Sequence, residues 1–173
     1  MRRLLSALLA LLTTIVVTAT SAIAQVPEHD LKAAFIYNFV QFTQWPEGAI
    51  RGSKINLCAS PGSLLYMALQ GLTGKTVHGK AIAILPLAGS TPGDCQVVIA
   101  TGNDHPQASQ IRKLTEGPVL SITDDPELLR DGRMVIGLAV ESGRVTFIID
   151  NTRAIEGRLV VSSRLLRLAK GVR

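Results

Sequence analysis

The side chains of this sequence that could carry out acid–base or metal chemistry are few and far apart. The 173-residue chain has three histidines, His29, His78 and His105, and no two of them have the spacing of a metal-binding motif. No G-x-S-x-G sequence is present, so a serine hydrolase has no local support. The sequence therefore favours a protein that is not an enzyme and that carries no metal and no other cofactor.

Asp124 and Asp125 are adjacent carboxylates between a predicted strand and Pro126. Open α/β sheets bind ligands at the ends of strands, so Asp124, with Thr123 and with Ser60 after another strand, could line a ligand pocket. Asp before Pro is also ordinary turn and helix N-cap chemistry, and this interpretation is favoured.

Two further segments resemble anion sites only loosely. The run from Gly71 to Lys75 contains G-x-x-G-K but lacks the spacing of a phosphate loop and follows a helix, so a glycine C-cap is favoured. Ser162, Ser163 and Arg164 could hold an anion at the start of a helix, but a plain N-cap is the favoured interpretation.

The N-terminus has the pattern of an export signal. Arg2 and Arg3 precede an uncharged apolar run at residues 4–18, and Ala22 and Ala24 form a small-x-small cleavage site. We predict a secretory signal peptide over residues 1–24, cleaved after Ala24, and a single domain over residues 25–173. The alternative is a retained membrane anchor, which the shortness of the apolar run disfavours. No second long apolar run follows, so no permanent membrane anchor is predicted.

The two cysteines, Cys58 and Cys95, are predicted to form a disulfide, because export leads to an oxidising compartment. The alternative is two buried free thiols. The formal net charge is +5, but the basic residues are dispersed and the aromatic residues are not interleaved with them. A nucleic-acid partner is therefore not predicted.

The elements that must position these side chains begin with an aromatic helix, which ends at Pro46 because proline disfavours helical backbone in the preceding residue. Its apolar spacing predicts one face packed under a sheet. Five of the seven aromatic residues of the chain lie in it, namely Phe35, Tyr37, Phe39, Phe42 and Trp45. The predicted face consists of Leu31, Ala34, Phe35, Asn38, Phe39 and Phe42.

Short apolar runs then alternate with helical segments. Strands are predicted at residues 54–59, 80–85, 95–100 and 119–123, and helices at 64–72 and 107–114. A hairpin of residues 133–141 and 144–150 turns at Ser142 and Gly143. A terminal helix follows, with one face formed by Leu159, Ser162, Leu165, Leu166 and Ala169. The pattern predicts an α/β fold: a single three-layer domain with a mixed sheet of about six strands, four in βα alternation plus a C-terminal β-hairpin, flanked by helices.

Four of these segments resemble the YfiR family of secreted bacterial regulators, in the same order and over nearly all of the mature chain. They are the aromatic helix with its Trp-Pro stop, the strand ending at Cys58, the C-Q-hydrophobic strand from Cys95, and the hairpin followed by S-S-x-L-L-x-L-A. The motif residues, which are expected to be mostly structural, are Lys32, Phe35, Tyr37, Asn38, Phe39, Trp45, Pro46, Phe147, Ser162, Ser163, Leu165 and Leu166.

The sequence departs from this family pattern at several positions. Asp150 stands where relatives usually have Asn, Arg158 stands where they usually have Gly, and residues 59–63 lack the Gly-Asp-Asp-type sequence that is common in the family. The second cysteine pair of some relatives is absent, so a switch based on that second bridge is not expected here.

The resemblance implies a periplasmic, non-enzymatic negative regulator. Such a protein binds the periplasmic sensor domain of an inner-membrane diguanylate cyclase or a related sensor, and so lowers cyclic di-GMP signalling and biofilm formation until envelope or redox stress releases it. The expected partner or ligand surface includes Ser60, Asp124 and Arg164. The alternative is a periplasmic small-ligand-binding domain that feeds another membrane sensor or transporter. A homodimer is compatible with either function.

Overall fold

The computed structural model describes residues 26–131 and 133–173, and the predicted signal peptide and its cleavage site lie outside them. The strands are β1 (Thr43–Gln44), β2 (Lys54–Ala59), β3 (Thr76–Val77), β4 (Lys80–Pro86), β5 (Val97–Ala100), β6 (Leu120–Thr123), β7 (Ile136–Glu141), β8 (Arg144–Ile149), β9 (Val160–Val161) and β10 (Gly171–Val172). The helices are α1 (Glu28–Gln41), α2 (Leu64–Gln70), α3 (Ala108–Leu114), α4 (Pro126–Arg130), α5 (Asn151–Glu156) and α6 (Ser163–Leu168), and a 3₁₀ helix (Gly102–Gln107) precedes α3.

The main sheet has eight strands in the order β10-β8-β7-β6-β5-β2-β4-β3. Strands β4, β2, β5, β6 and β7 are parallel to one another. Strand β3 is antiparallel to β4, β8 is antiparallel to β7, and β10 is parallel to β8. From β2 the chain first adds β4 on one side and then β5, β6 and β7 on the other, so the winding reverses between β2 and β5. The predicted mixed α/β sheet is confirmed. Its strand count is eight rather than six, because β3 and β10 have two residues each and are too short to show a sequence period.

Each central strand contributes to two cores, one on each face of the sheet. Leu57, Val97 and Ile99 pack with the buried residues of α1 and α2. The alternate residues Cys58 and Val98 pack with apolar residues of α3 and α4 on the opposite face. A parallel sheet covered on both faces accounts for the continuous apolar runs in the sequence.

The predicted disulfide is confirmed. Cys58 at the end of β2 is bonded to Cys95, two residues before β5, and their Cα atoms are 5.8 Å apart. Both residues are buried in the core on the α3 side of the sheet. The bond therefore joins the two neighbouring strands between which the winding reverses.

The buried face of α1 differs from the predicted face. Its fully packed residues are Ala33, Ile36, Phe39 and Val40. Ala34 and Asn38, which were expected in the core, are exposed. Phe35 and Phe42 are half-buried at the margins of the helix–sheet contact. The prediction centred the buried face on these large aromatic rings, whereas the observed face is centred on Ile36 and Val40.

The aromatic prediction holds best at Phe39, which is fully buried. Its ring centroid lies 4.9 Å from that of Phe147 on β8 and 6.1 Å from that of Phe35. Inclined ring pairs at these separations are favourable beyond the area that they bury. Three of the family-motif residues thus form one cluster that fixes α1 on the hairpin.

The C-terminal segment corrects a second prediction. Leu159 was placed in a terminal helix, but it precedes β9, which pairs with β1 through Thr43 and Val161. The helix α6 is shorter than predicted and begins after Ser162, whose Oγ accepts a hydrogen bond from the Leu165 N–H at 3.2 Å. The β-branched residues 160–161 form a strand rather than a helical turn. The N-cap interpretation of Ser162 is confirmed.

The hairpin of β7 and β8 turns at two residues, as predicted. Ser142 has φ 51° and Gly143 has φ 74°, the left-handed pair that a two-residue turn requires. Pairing of β6 with β7 ends at Gly137. The rest of β7 pairs with β8 as far as Arg144, so the hairpin projects beyond the edge of the parallel sheet.

In the part of the chain that the structure describes, no helix is long and apolar enough to cross a membrane.

Candidate functional site

The strands β2, β5 and β6 end at one edge of the sheet, and residues that follow them, together with residues of α1, line a cleft of about 300 Å³. This edge includes the point between β2 and β5 where the winding reverses, the usual place for ligands in open α/β sheets. We call it the carboxyl-edge cleft. It is lined by Glu28, His29, Lys32, Ser63, Leu64, Leu65, Thr101, Asn103 and Asp124.

Lys32 joins α1 to the end of β6 in one wall of this cleft. Its Nζ lies 2.7 Å from Asp124 Oδ2 and 2.6 Å from Glu28 Oε1. Partial burial acts to lower the pKa of Lys32, but the hydrogen bonds to Asp124 and Glu28 outweigh it and hold the pKa above its ordinary value. The ammonium is therefore charged at neutral pH and positions the Asp124 carboxylate.

Asp104 links the loops that follow β2 and β5. It is buried, and its Oδ2 accepts hydrogen bonds from the Thr101 N–H at 2.7 Å and from Thr101 Oγ1 at 3.0 Å. Its Oδ1 accepts a hydrogen bond from Ser60 Oγ. Both carboxylate oxygens thus have partners, as a buried charge requires. Asp104 holds Ser60 next to the winding reversal.

Asp125 begins α4 and also contacts His105. Its Oδ1 accepts hydrogen bonds from the N–H groups of Glu127 at 2.7 Å and Leu128 at 3.0 Å. His105 Nε2 lies 3.1 Å from Oδ2. Desolvation acts to raise the pKa of Asp125, but these hydrogen bonds and the adjacent His105 hold it below its ordinary value. The N-cap interpretation of Asp125 is confirmed.

These contacts do not form a hydrolytic relay. Ser60 donates to Asp104, whereas His105 lies against Asp125, so the serine and the histidine serve different carboxylates. A Ser-His-Asp relay needs the serine hydrogen-bonded to the histidine. Within residues 26–131 and 133–173, no group of three histidine, cysteine or acidic side chains could hold a metal ion.

We expect Asp125→Ala to destabilise the fold by about 1 kcal/mol at pH 7, because the N-cap of α4 is lost. The pKa of Asp125 is lower in the folded state than in the unfolded state. The ionised carboxylate therefore stabilises the fold above the ordinary carboxyl pKa, and this stabilisation is lost as the pH falls through the folded-state pKa. The difference from wild type in urea unfolding should therefore shrink between pH 7 and pH ~3.

Asp125→Asn is the matched control for this change. Asn is as good an N-cap as Asp, so most of the loss at pH 7 should be restored. If Asp125→Ala lowered the free energy of unfolding equally at pH 7 and at pH ~3, the result would contradict a stabilising role for the ionised carboxylate.

The structure brings two of the three predicted surface residues to one edge of the sheet. Ser60 and Asp124 follow β2 and β6, and Asp124 lines the cleft. Arg164 lies elsewhere: its Cζ is 5.9 Å from the Phe42 ring, and Phe42 is about 15 Å along α1 from Lys32. Arg164 therefore does not share a site with the other two.

The remaining motif residues range from buried to exposed. Trp45 Nε1 donates to Gln96 O at 3.3 Å, and the Tyr37 ring lies 5.3 Å from Lys75 Nζ. Leu165 is buried, whereas Asn38 and Ser163 are exposed.

Sequence reasoning missed the roles of Thr101, Asp104 and His105. Thr101 and Asp104 have the T-x-x-D spacing of a helix-capping pair, and that signal could have placed a helix start directly after β5. The pairing of His105 with Asp125 had no local signal, because 20 residues separate them.

Comparison with known proteins agrees with this architecture. The family model described as YfiR/HmsC-like matches residues 29–170. Among solved structures, the fold is similar to that of a conserved domain protein from Vibrio cholerae, with a TM-score of 0.55 and 10% sequence identity over 84% of this chain. The match spans 60% of that protein's chain, and at this identity it shows the fold alone. The curated protein sequences contain no match to this chain.

The strand order, the two helical layers and the cleft at the winding reversal define a doubly wound α/β domain. Its cleft holds the paired charges of Lys32, Glu28 and Asp124, and the described residues form no Ser-His-Asp relay there. The chain belongs to the YfiR/HmsC-like family, whose model covers most of it. This is a family of periplasmic, non-catalytic regulators of cyclic di-GMP signalling.

Proposed function

We propose that this protein binds the periplasmic sensor domain of an inner-membrane diguanylate cyclase and represses it, so that cyclic di-GMP output and biofilm formation fall. The observation that carries the proposal is the family match over residues 29–170. The proposal includes export by a signal peptide over residues 1–24, cleavage after Ala24, and a mature single domain over residues 25–173.

The surface beside the carboxyl-edge cleft suits a protein partner. Leu64 and Met67 are one turn apart on α2, and each is more than half exposed, 59% and 58%. Exposed apolar side chains beside polar groups are typical of protein contacts. We place the partner contact on Leu64 and Met67, with Ser60 and Asp124 at the adjoining cleft.

A second candidate function is a periplasmic domain that binds a small ligand and signals to another membrane sensor or transporter. One observation favours it: the carboxyl-edge cleft lies at the winding reversal, where doubly wound sheets bind small molecules. The proposed experiment separates the two functions.

The experiment is capture of membrane proteins by the mature chain, residues 25–173, from detergent-solubilised membranes of its own host. We expect a diguanylate cyclase with a periplasmic sensor domain to be retained and identified by mass spectrometry. Leu64→Lys should abolish retention, because it places a charge in the apolar contact. Deleting the gene should raise cellular cyclic di-GMP.

Val160→Lys is the matched control, since Val160 is equally exposed, 61%, but lies on β9. This variant should retain the cyclase. Unchanged cyclic di-GMP in the deletion strain, together with no cyclase captured by the folded, oxidised domain, would contradict repression and favour the small-ligand function.

A further inference from the structure

We propose that the C-terminal part of the domain binds reversibly to a lipid bilayer surface that carries anionic headgroups. The residues concerned lie in the turn before β9, on β9 and on α6. We call them the basic face, and they are Arg158, Val160, Arg164, Arg167 and Leu168. The inference concerns lipid binding alone and does not depend on repression of a cyclase.

The charge of the chain is unevenly distributed along its length. Residues 157–173 contain five basic residues and no acidic residue, whereas residues 25–156 contain eleven basic and thirteen acidic residues. The net positive charge of the mature chain therefore comes from its C-terminal segment. A segment of one charge sign on a domain that is otherwise slightly acidic indicates an anionic partner.

The turn before β9 and β9 itself contribute one arginine and one valine to this face. Burial alternates along residues 158–161, because Leu159 and Val161 are buried in the core that contains α1. Arg158 and Val160 lie between these residues and are exposed, so they point away from that core.

The helix α6 continues the basic face. Its Leu165 is buried in the same core as the buried residues of β9. Arg164, Arg167 and Leu168 are exposed and have the i, i+3, i+4 spacing of one side of a helix. Leu168 is 66% exposed. Exposed aliphatic side chains beside basic ones are typical of segments that lie on a membrane surface.

The positive charges of this face are not neutralised within the described part of the chain. Three arginines form no ion pair there, namely Arg158, Arg164 and Arg167. The acidic residues Glu141, Asp150 and Glu156 pair with other bases, namely Lys170, Arg173 and Arg153. Three positive charges are therefore available to an anionic surface.

Arg158 has a backbone conformation that favours glycine. Its φ is 56°, in the left-handed region, where a residue with a side chain is strained. Because its side chain is exposed and forms no ion pair with the described residues, contacts of that kind do not offset the strain. An arginine that is unfavourable for the fold indicates a role for its charge outside the fold.

A lipid surface fits the basic face better than a folded acidic protein does. The centre of a protein interface is apolar and depleted of charge, whereas this face alternates arginine with single aliphatic side chains. On a bilayer, Val160 and Leu168 can enter the interfacial region while the long arginine side chains extend to the headgroups. We therefore assign the basic face to a bilayer, and the test includes an acidic polypeptide as the competing partner.

The test is sedimentation of the mature chain, residues 25–173, with lipid vesicles. Each basic side chain at an anionic surface raises the affinity about fivefold. We expect vesicles with about 30% phosphatidylglycerol to bind the chain about tenfold or more tightly than pure phosphatidylcholine vesicles do at about 50 mM NaCl. Salt screens these charges, so about 0.5 M NaCl should remove most of the difference.

The arginines of α6 are tested by a double variant with a matched control. Arg164→Gln, Arg167→Gln should weaken binding to the anionic vesicles about 25-fold. Arg112→Gln is the control, because Arg112 is exposed on α3, which packs on the opposite face of the sheet, and its binding should stay within about twofold of wild type. All three positions are exposed, so these changes should not disturb folding.

Two further variants separate lipid binding from the other roles that these positions could have. Arg158→Gly should weaken vesicle binding about fivefold without lowering the melting temperature, because glycine relieves the backbone strain. Leu168→Ser should weaken vesicle binding about threefold or more, because an aliphatic side chain no longer enters the interface. It should leave any binding to soluble poly-L-glutamate unchanged.

Three results would overturn the proposal. The first is equal binding of the folded, oxidised chain to anionic and neutral vesicles, or to neither. The second is a loss in Arg112→Gln as large as that in the double variant. The third is binding to poly-L-glutamate as tight as to anionic vesicles, with Leu168→Ser unaffected in both, which would assign the basic face to an acidic protein.

Discussion

Removal of the Cys58–Cys95 disulfide should lower the free energy of unfolding by about 4 kcal/mol, because the bond closes a loop between residues 37 positions apart. On the chain-entropy model, the disulfide lowers the conformational entropy of the unfolded chain, and removing the bond restores that entropy and so favours unfolding. The melting temperature of a domain of this size should fall by on the order of 10 °C. The measurement is thermal unfolding of oxidised wild type and of the double variant Cys58→Ala, Cys95→Ala.

Reduction supplies the matched control for the double variant. Wild type treated with reductant should melt near the double variant, and the double variant itself should not respond to reductant. Both sulfurs are buried, so thiol titration must first show that reduction is complete. An unchanged melting temperature in fully reduced wild type would contradict a stabilising role for the bond.

Phe39→Ala should cost about 3–5 kcal/mol, the usual loss for removing a fully buried aromatic ring. Phe39 has no exposed surface and lies between Phe35 and Phe147, so the neighbouring rings cannot easily fill the space. The measurement is the urea midpoint with a check that the m-value is unchanged.

Asn38→Ala is the matched control on the same helix. Asn38 is exposed, and its substitution should stay within about 0.5 kcal/mol of wild type. A Phe39→Ala protein as stable as Asn38→Ala would mean that the ring is not a core residue. Loss of partner binding by such a stable variant would instead assign Phe39 to an interface.

The parallel core could be predicted from sequence because its strands are continuous apolar runs bounded by glycine, proline and serine. The runs ending at Ala59 and Ala100 illustrate this, since each was placed within two residues of its observed bounds. The hairpin was equally predictable, because Ser142 and Gly143 suit a left-handed two-residue turn. In these places the local preference and the tertiary structure agree.

Other elements depended on contacts that no local pattern contains. The two residues of β9 become a strand by pairing with β1, and isolated from β1 they resemble the start of a helix. The exposed position of Asn38 likewise depends on which side of α1 the sheet approaches.

The candidate site was predictable only in its parts. The rule that strand ends meet at one edge placed Ser60 and Asp124 together. The Lys32–Asp124 contact joins residues 92 positions apart, and sequence reasoning gave Lys32 no role at this edge.

The projecting hairpin has a further consequence for the aromatic helix. Beyond Gly137 the hairpin is a two-stranded ribbon, and such ribbons are marginally stable alone. The packing of Phe39 on Phe147 supplies the layer that the ribbon lacks on its inner side. No residue of α1 lines the shallow pocket on the outer face of the hairpin, which is bordered by Ala139, Thr146 and Ile148. The aromatic cluster of α1 therefore stabilises the outer face of the hairpin although it contributes no atom to that face. We expect a substitution of Phe39 to change the NMR signals of hairpin residues on the opposite side of the sheet.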